Sequence, residues 1–141
     1  MFDKILPADF IRQLKTLFPA NDLLTGQSDL IAYSYDNSQQ QVMPQAVVFP
    51  RNQEQVQSLL GTCARHGVPV VARGRGTGTA GAAVPVAGGL VASFERMNNI
   101  LEIDPENRLA RVEPGVTNQQ LQRALAEYGF FWPPDPTSAA V

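Results

Sequence analysis

One stretch constrains this chain more than any other: Arg73-Gly74-Arg75-Gly76-Thr77-Gly78-Thr79-Ala80-Gly81, with four glycines, two threonines and two arginines. A backbone this bare neither propagates a helix nor fills a core, but it permits positive φ and lets another molecule approach closely. Several N–H groups can then turn onto one anion, while arginine and threonine add charge and hydroxyl donors. Most glycine-rich sequence forms ordinary surface loop. Here, however, the stretch leaves Val68-Pro69-Val70-Val71-Ala72 without a break. That apolar run reads as a buried strand, and α/β proteins place ligands at the ends of such strands. The context favours a phosphate cradle.

The surrounding chain supplies a scaffold. Ala46-Val47-Val48-Phe49, closed by Pro50, predicts a buried strand. Asn52 and Gln55 form a cap signature, Val56, Leu59, Leu60, Cys63 and Ala64 follow at helical spacing, and Gly67 ends the helix. Strand, helix and strand in this order predict a right-handed parallel crossover with the glycine loop at its end. Upstream, Pro7 opens a helix whose Phe10, Ile11, Leu14, Leu17 and Phe18 share one face until Pro19. Ser28 can cap a short turn that leads to Tyr33, Tyr35 and Asp36. The polar Ser38-Gln39-Gln40-Gln41 reads as a linker, dividing an N-terminal helical arm (1–40) from the main domain (41–141). Beyond the loop, Leu90–Phe94 reads as a strand. Ile100–Asp104 and Leu109–Glu113 form a hairpin about Asp104-Pro105-Glu106-Asn107, and Thr117 with Gln120 caps a last helix closed by Gly129. The expected class is α+β: a small parallel βαβ subdomain, then an antiparallel portion with flanking helices.

Composition removes several classes of function. At 44% hydrophobic and 17% charged residues the chain is globular rather than disordered, and a net charge of -2 gives no reason to expect nucleic acid. Cys63 is the single cysteine, so no internal disulfide and no multi-cysteine metal site can form, which suits a reducing compartment. No secretory leader is expected from a start carrying Asp3 and Lys4 before any apolar run. Thr77 to Phe94 is uncharged, but Gly78, Gly81, Pro85, Gly88 and Gly89 make it a poor membrane helix.

Two phosphate loops can be weighed on chemistry. A Walker A loop needs a lysine, and none follows Lys15. Gly76, Gly78 and Gly81 match the dinucleotide pattern G-x-G-x-x-G, but that pattern works by opening a helix whose N-terminus faces the pyrophosphate. Ala82-Ala83-Val84-Pro85-Val86-Ala87-Gly88-Gly89 is a poor helix, and Glu95 comes too early to bind a ribose. A nicotinamide-binding Rossmann domain is therefore the runner-up.

The motifs as a set carry a more specific signal. Pro44 to Pro50, the helix from Asn52 to His66, Val68 to Gly78, Arg96-Met97-Asn98-Asn99-Ile100-Leu101, Val112-Glu113-Pro114-Gly115-Val116 and Pro133-Pro134-Asp135-Pro136-Thr137-Ser138 together resemble the N-terminal part of the vanillyl-alcohol oxidase and p-cresol methylhydroxylase flavoprotein family. The likeness is to its glycolate oxidase FAD subunits and D-lactate dehydrogenases. The resemblance implies an incomplete α+β FAD-binding fold, lacking the later Gly-Gly and Asn-Ala-Gly motif and the substrate domain. It implies a diphosphate wrapped by Arg73, Gly74, Arg75, Gly76, Thr77, Gly78, Thr79 and Gly81, with Pro136, Thr137 and Ser138 as a second cofactor-lining segment. Family members that tether FAD through this loop use a histidine where Thr77 stands, so the FAD is expected to be non-covalent. The implied activity is oxidation of a small 2-hydroxy acid, with electrons passing to an acceptor that the sequence does not name. The implied location is cytoplasmic, or peripheral to the inner membrane through an electron-transfer partner. A chain missing half the flavin contacts is expected to be inactive alone and to self-associate through apolar surface around Phe130, Phe131 and Trp132. The alternative of a different class is a non-catalytic nucleotide-binding or interaction module.

The remaining candidates have plainer readings. His66 suits the helix C-terminal dipole better than a catalytic role, and Cys63 reads as a buried, inert thiol. Tyr33, Tyr35 and Asp36 dock the arm, and Phe130, Phe131 and Trp132 anchor the chain. No residue is singled out as a catalytic base or metal ligand.

Overall fold

The computed structural model describes residues 5–134. Helix α1 (Ala8–Leu17) begins behind Pro7 and stops where Phe18 turns extended, at φ -125°, ahead of Pro19. A 3₁₀ turn (Ala20–Asp22), the two-residue strand β1 (Leu23–Leu24), the short helix α2 (Gln27–Leu30) and a second 3₁₀ turn (Ile31–Tyr33) follow. Strand β2 (Ala46–Val48) leads into α3 (Gln53–His66) and β3 (Val70–Arg73). In α3 the Asn52 side chain accepts from the Gln55 N–H at 2.9 Å, and Gly67 takes the left-handed conformation that ends the helix.

Strand β4 (Leu90–Ser93) completes a four-stranded sheet of order β1-β2-β4-β3, parallel except for the β1 edge. The expected parallel crossover is present, but β2 and β3 do not touch, because β4 lies between them. The alternation of side chains across the sheet gives it two apolar faces. Ala46, Val48, Leu90 and Ala92 meet Phe10 and Leu14 of α1 and Leu59 and Cys63 of α3. Val47, Phe49 and Val91 meet Leu30, Leu24 and Tyr33. Burying a side chain such as Phe10 or Leu14 fully stabilises by roughly 1.5–3 kcal/mol. Residues 5–34 thus cover both faces of the sheet.

A charged cluster ties that segment down. Asp22 is fully buried; Arg51 donates to it through Nε at 2.6 Å and Nη2 at 3.0 Å, and Arg96 forms a second ion pair with it. Arg96 also lies over the Phe49 ring, 4.7 Å from its centroid. A buried carboxylate is tolerable only when paired in this way.

Strands β5 (Ile100–Asp104) and β6 (Leu109–Val112) form the expected antiparallel hairpin, in which Asp104 Oδ1 accepts from the Asn107 N–H at 3.0 Å. Helix α4 (Asn118–Ala126) carries a complete capping box between Thr117 and Gln120. Gly115 joins this unit to the sheet, its N–H donating to Met97 O at 2.7 Å. A Cβ at that position would run into the carbonyls of Phe94 and Met97. Between hairpin and helix lies an apolar groove of about 550 Å³, with Phe131 and Trp132 on its rim.

Candidate functional site

Parallel neighbours need a long connection between them, and residues 74–89 are that connection from β3 to β4. The glycine loop therefore sits at the carboxyl edge of the parallel strands, where open α/β sheets bind ligands. No helix follows it. The chain instead makes tight turns, with Val84 N–H donating to Gly81 O at 3.1 Å and Gly88 N–H to Pro85 O at 2.7 Å. The nicotinamide reading fails here, because a dinucleotide loop must deliver the pyrophosphate to a helix N-terminus.

The structure brings Arg73 through Gly81 to one edge, while Pro136, Thr137 and Ser138 lie outside the described residues. A Cβ at Gly74 or Gly78 would meet no protein atom within 4 Å, so open space borders the backbone at both positions. Gly76 has φ +68°, a conformation that side chains disfavour. Arg75 is exposed and makes no ion pair or hydrogen bond with any described residue. Bare backbone, open space and an uncommitted guanidinium fit the diphosphate of a dinucleotide. Gly74, Thr79 and Gly78 are exposed, whereas Gly76, Thr77 and Gly81 are half-buried.

Arg73, a phosphate contact by the sequence pattern, turns the other way. Its side chain is buried, with Nη1 donating to Tyr35 O at 2.8 Å and Nη2 to Ala32 O at 3.3 Å. The guanidinium also stands 5.6 Å from the Tyr33 ring centroid, and a Cβ on Gly76 would run into it. As the last residue of β3 it follows the strand's alternation, and burial satisfies its donors with backbone carbonyls. Arg73 braces the loop from behind, and Arg75 is the arginine left exposed.

The polar run 38–41, linker-like in sequence, lies against the loop together with Asn37 before it. Asn37 donates its backbone N–H to Gly78 O at 3.0 Å and its side-chain Nδ2 to Thr77 O at 3.2 Å. Ser38 and Gln40 lie against Gly81. The hydroxyl and N–H of Ser38 hold the buried Asp36 carboxyl below its ordinary value, assisted by the Ala83 N–H and Arg73. Tyr33 meets Phe49 edge to face at 5.6 Å and donates to Glu95 Oε1 at 3.5 Å. Burial first, and the Glu95 charge second, raise its phenol pKa, with Arg73 and Arg75 opposing. Asn37 carries no local sequence signature; only the fold brings it to the loop.

Other titratable groups lie away from this edge. His66 packs edge to face on Phe10 at 5.3 Å, with its Nδ1 3.7 Å from the Asp9 carboxylate. Burial pushes the Cys63 thiol up to about 11. No group of three or more metal-ligating side chains occurs among the described residues. No helix among them is long and apolar enough to cross a membrane.

Known proteins resemble this chain in sequence and in fold. A family model described as FAD binding domain matches residues 44–141. The glycolate oxidase subunit GlcD of Bacillus subtilis is 47% identical over 112 residues, covering 79% of this chain and 24% of that protein. The D-lactate dehydrogenase of Archaeoglobus fulgidus is 37% identical over 133 residues, covering 91% and 28% respectively. The chain thus spans about a quarter of the length of these relatives. The crystal structure of p-cresol methylhydroxylase with substrate bound superposes with a TM-score of 0.76 at 30% identity, over 86% of this chain and 24% of that one. With a family match over more than half of its residues and the fold it shares with p-cresol methylhydroxylase, this chain belongs to the FAD binding domain family.

Proposed function

We propose that the chain supplies the diphosphate-binding part of an FAD-linked enzyme that oxidises a small 2-hydroxy acid of the glycolate or D-lactate type. The observation that carries this reading is the helix-free glycine loop at the carboxyl edge of parallel strands, with open space beside Gly74 and Gly78. The N–H groups along Gly74–Gly81 and the Arg75 guanidinium hold the diphosphate, and Pro136, Thr137 and Ser138 line the cofactor further along. Arg73 acts from behind the loop. The FAD is held without a covalent bond, because Thr77 offers no ring nitrogen for a tether. When bound, the cofactor would supply the hydride acceptor, taking the hydrogen on C2 of the hydroxy acid while the hydroxyl hydrogen departs as a proton to give the 2-oxo acid, and would pass the two electrons to an external acceptor. The relatives named glycolate oxidase subunit and D-lactate dehydrogenase support this substrate class. On this reading the enzyme is cytoplasmic, or peripheral to the inner membrane through an electron-transfer partner.

The test is Gly76→Val in the whole protein, with bound flavin measured by its visible absorbance and activity by dye reduction with D-lactate and glycolate. A β-branched side chain at φ +68° is strained, and its Cβ would also displace the Arg73 guanidinium. The variant should fold, lose its flavin and reduce no dye. A variant that purifies with a full complement of flavin refutes the loop assignment, and wild-type protein that reduces no dye with either acid refutes the substrate class.

A further inference from the structure

We propose that Asn37 is a positioning residue for the diphosphate loop: from outside the loop it holds the Thr77 and Gly78 carbonyls and so aims the next two N–H groups at the phosphates. This rests on the loop assignment above and adds to it a residue outside the glycine stretch. A peptide unit is planar, with its C=O and N–H pointing in opposite directions. The carbonyls of Thr77 and Gly78 both point to Asn37, at 3.2 and 3.0 Å. The N–H groups of the same two peptide units, those of Gly78 and Thr79, therefore point away from residue 37. Neither donates to any described residue. Two adjacent free N–H groups facing one way are what a phosphate oxygen needs.

Asn37 can hold the loop only because it is itself held. Asp36 Oδ1 accepts from the Ser38 N–H at 2.8 Å, closing a turn around residue 37. Arg73 grips the Tyr35 carbonyl, and Tyr35 and Gln41 pair as an isolated antiparallel bridge. Val42 N–H donates to Ser34 O at 2.8 Å, and Gln41 Nε2 to Ser34 Oγ at 3.0 Å. The brace is thus built before any ligand arrives. A glycine-rich loop loses much conformational freedom when it is ordered, so fixing it beforehand removes part of that cost from binding.

Asn37→Ala and the near-isosteric Asn37→Asp, made in the whole protein, test this. Both remove the donor to Thr77 while leaving the backbone bond to Gly78. For each, the FAD dissociation constant of the apoprotein, its melting temperature and the hydrogen-exchange protection of the residue-37 N–H, which donates to Gly78 O, are measured. Asn37→Ala should weaken FAD about fivefold. Asn37→Asp should weaken it more, because its carboxylate faces the Thr77 carbonyl, an acceptor against an acceptor, and brings a negative charge to a loop that binds an anion. Protection of the residue-37 N–H should fall in both as its Gly78 partner loosens, with the melting temperature unchanged. FAD affinity within twofold of wild type in both variants, or unchanged protection at that N–H, overturns the proposal. Gly76→Val separates the two claims. If it binds FAD normally, the loop assignment itself has failed; if it loses FAD while both Asn37 variants keep it, only the role of Asn37 has.

Discussion

The guanidinium of Arg73 and the backbone carbonyl of Tyr35 are joined by a 2.8 Å hydrogen bond that links the end of β3 to the N-terminal segment. Two residues on, Arg75 is exposed and makes no such bond among the described residues. The two arginines should therefore separate under mutation. Arg73→Met should destabilise the apoprotein by about 2 kcal/mol, the cost of leaving two part-buried carbonyls without a charged donor. Arg75→Met should leave the apoprotein's melting temperature unchanged but weaken FAD by about tenfold, a loss that shrinks as salt screens the phosphate charge. Thermal melts beside FAD titrations at two ionic strengths check both, and equal melting losses in the two variants would contradict the assignment.

By the family resemblance, Thr77 stands where members that tether FAD through this loop carry a histidine, and threonine has no ring nitrogen to form the bond. Acid precipitation of the holoprotein should release all of its flavin into the supernatant. Flavin fluorescence remaining with the washed pellet would show a covalent link and exclude this reading.

Cys63 is 2% exposed on the inner face of α3, and burial holds its thiol at about 11. A thiol needs both access and ionisation to react. The native protein at pH 8 should give less than about a tenth of a thiol equivalent to a disulfide reagent over the time that the denatured chain reacts fully. Rapid native labelling at Cys63 would mean that the packing of α1 on α3 opens readily.

The Asp36 carboxyl is held below its ordinary value of 3.8, chiefly by Ser38. A carboxylate with a lowered folded pKa contributes stability that is complete above the unfolded value and is lost as pH falls through the folded one. The difference in melting temperature between wild type and Asp36→Asn should accordingly be constant from pH 7 to about 5 and shrink below pH 4. A difference that stays constant down to pH 3 would show that the charge on Asp36 does not fasten the turn around Asn37.

What the sequence determined was local or came in recognisable strings. The Asn52 and Thr117 caps, the Gly67 stop, the Asp104–Asn107 turn and the glycine loop each depend on residues a few positions apart, so their chemistry is legible in order. The motif series from Pro44 onward likewise pointed to the flavoprotein family. The tertiary structure alone decided which strand lies in the middle, because β4 enters between β2 and β3 by pairing with residues far away in sequence. It also separated the two arginines, since the exposure of a side chain at a strand end depends on what packs above it, here Tyr33 and Tyr35. The polar run beginning at Ser38 looked like a linker because polar residues without periodicity carry no sign of a partner. Asn37, just before it, meets Thr77 and Gly78 only because the chain folds back across the sheet edge, and hydrogen bonds between such distant residues leave no spacing in the sequence to read.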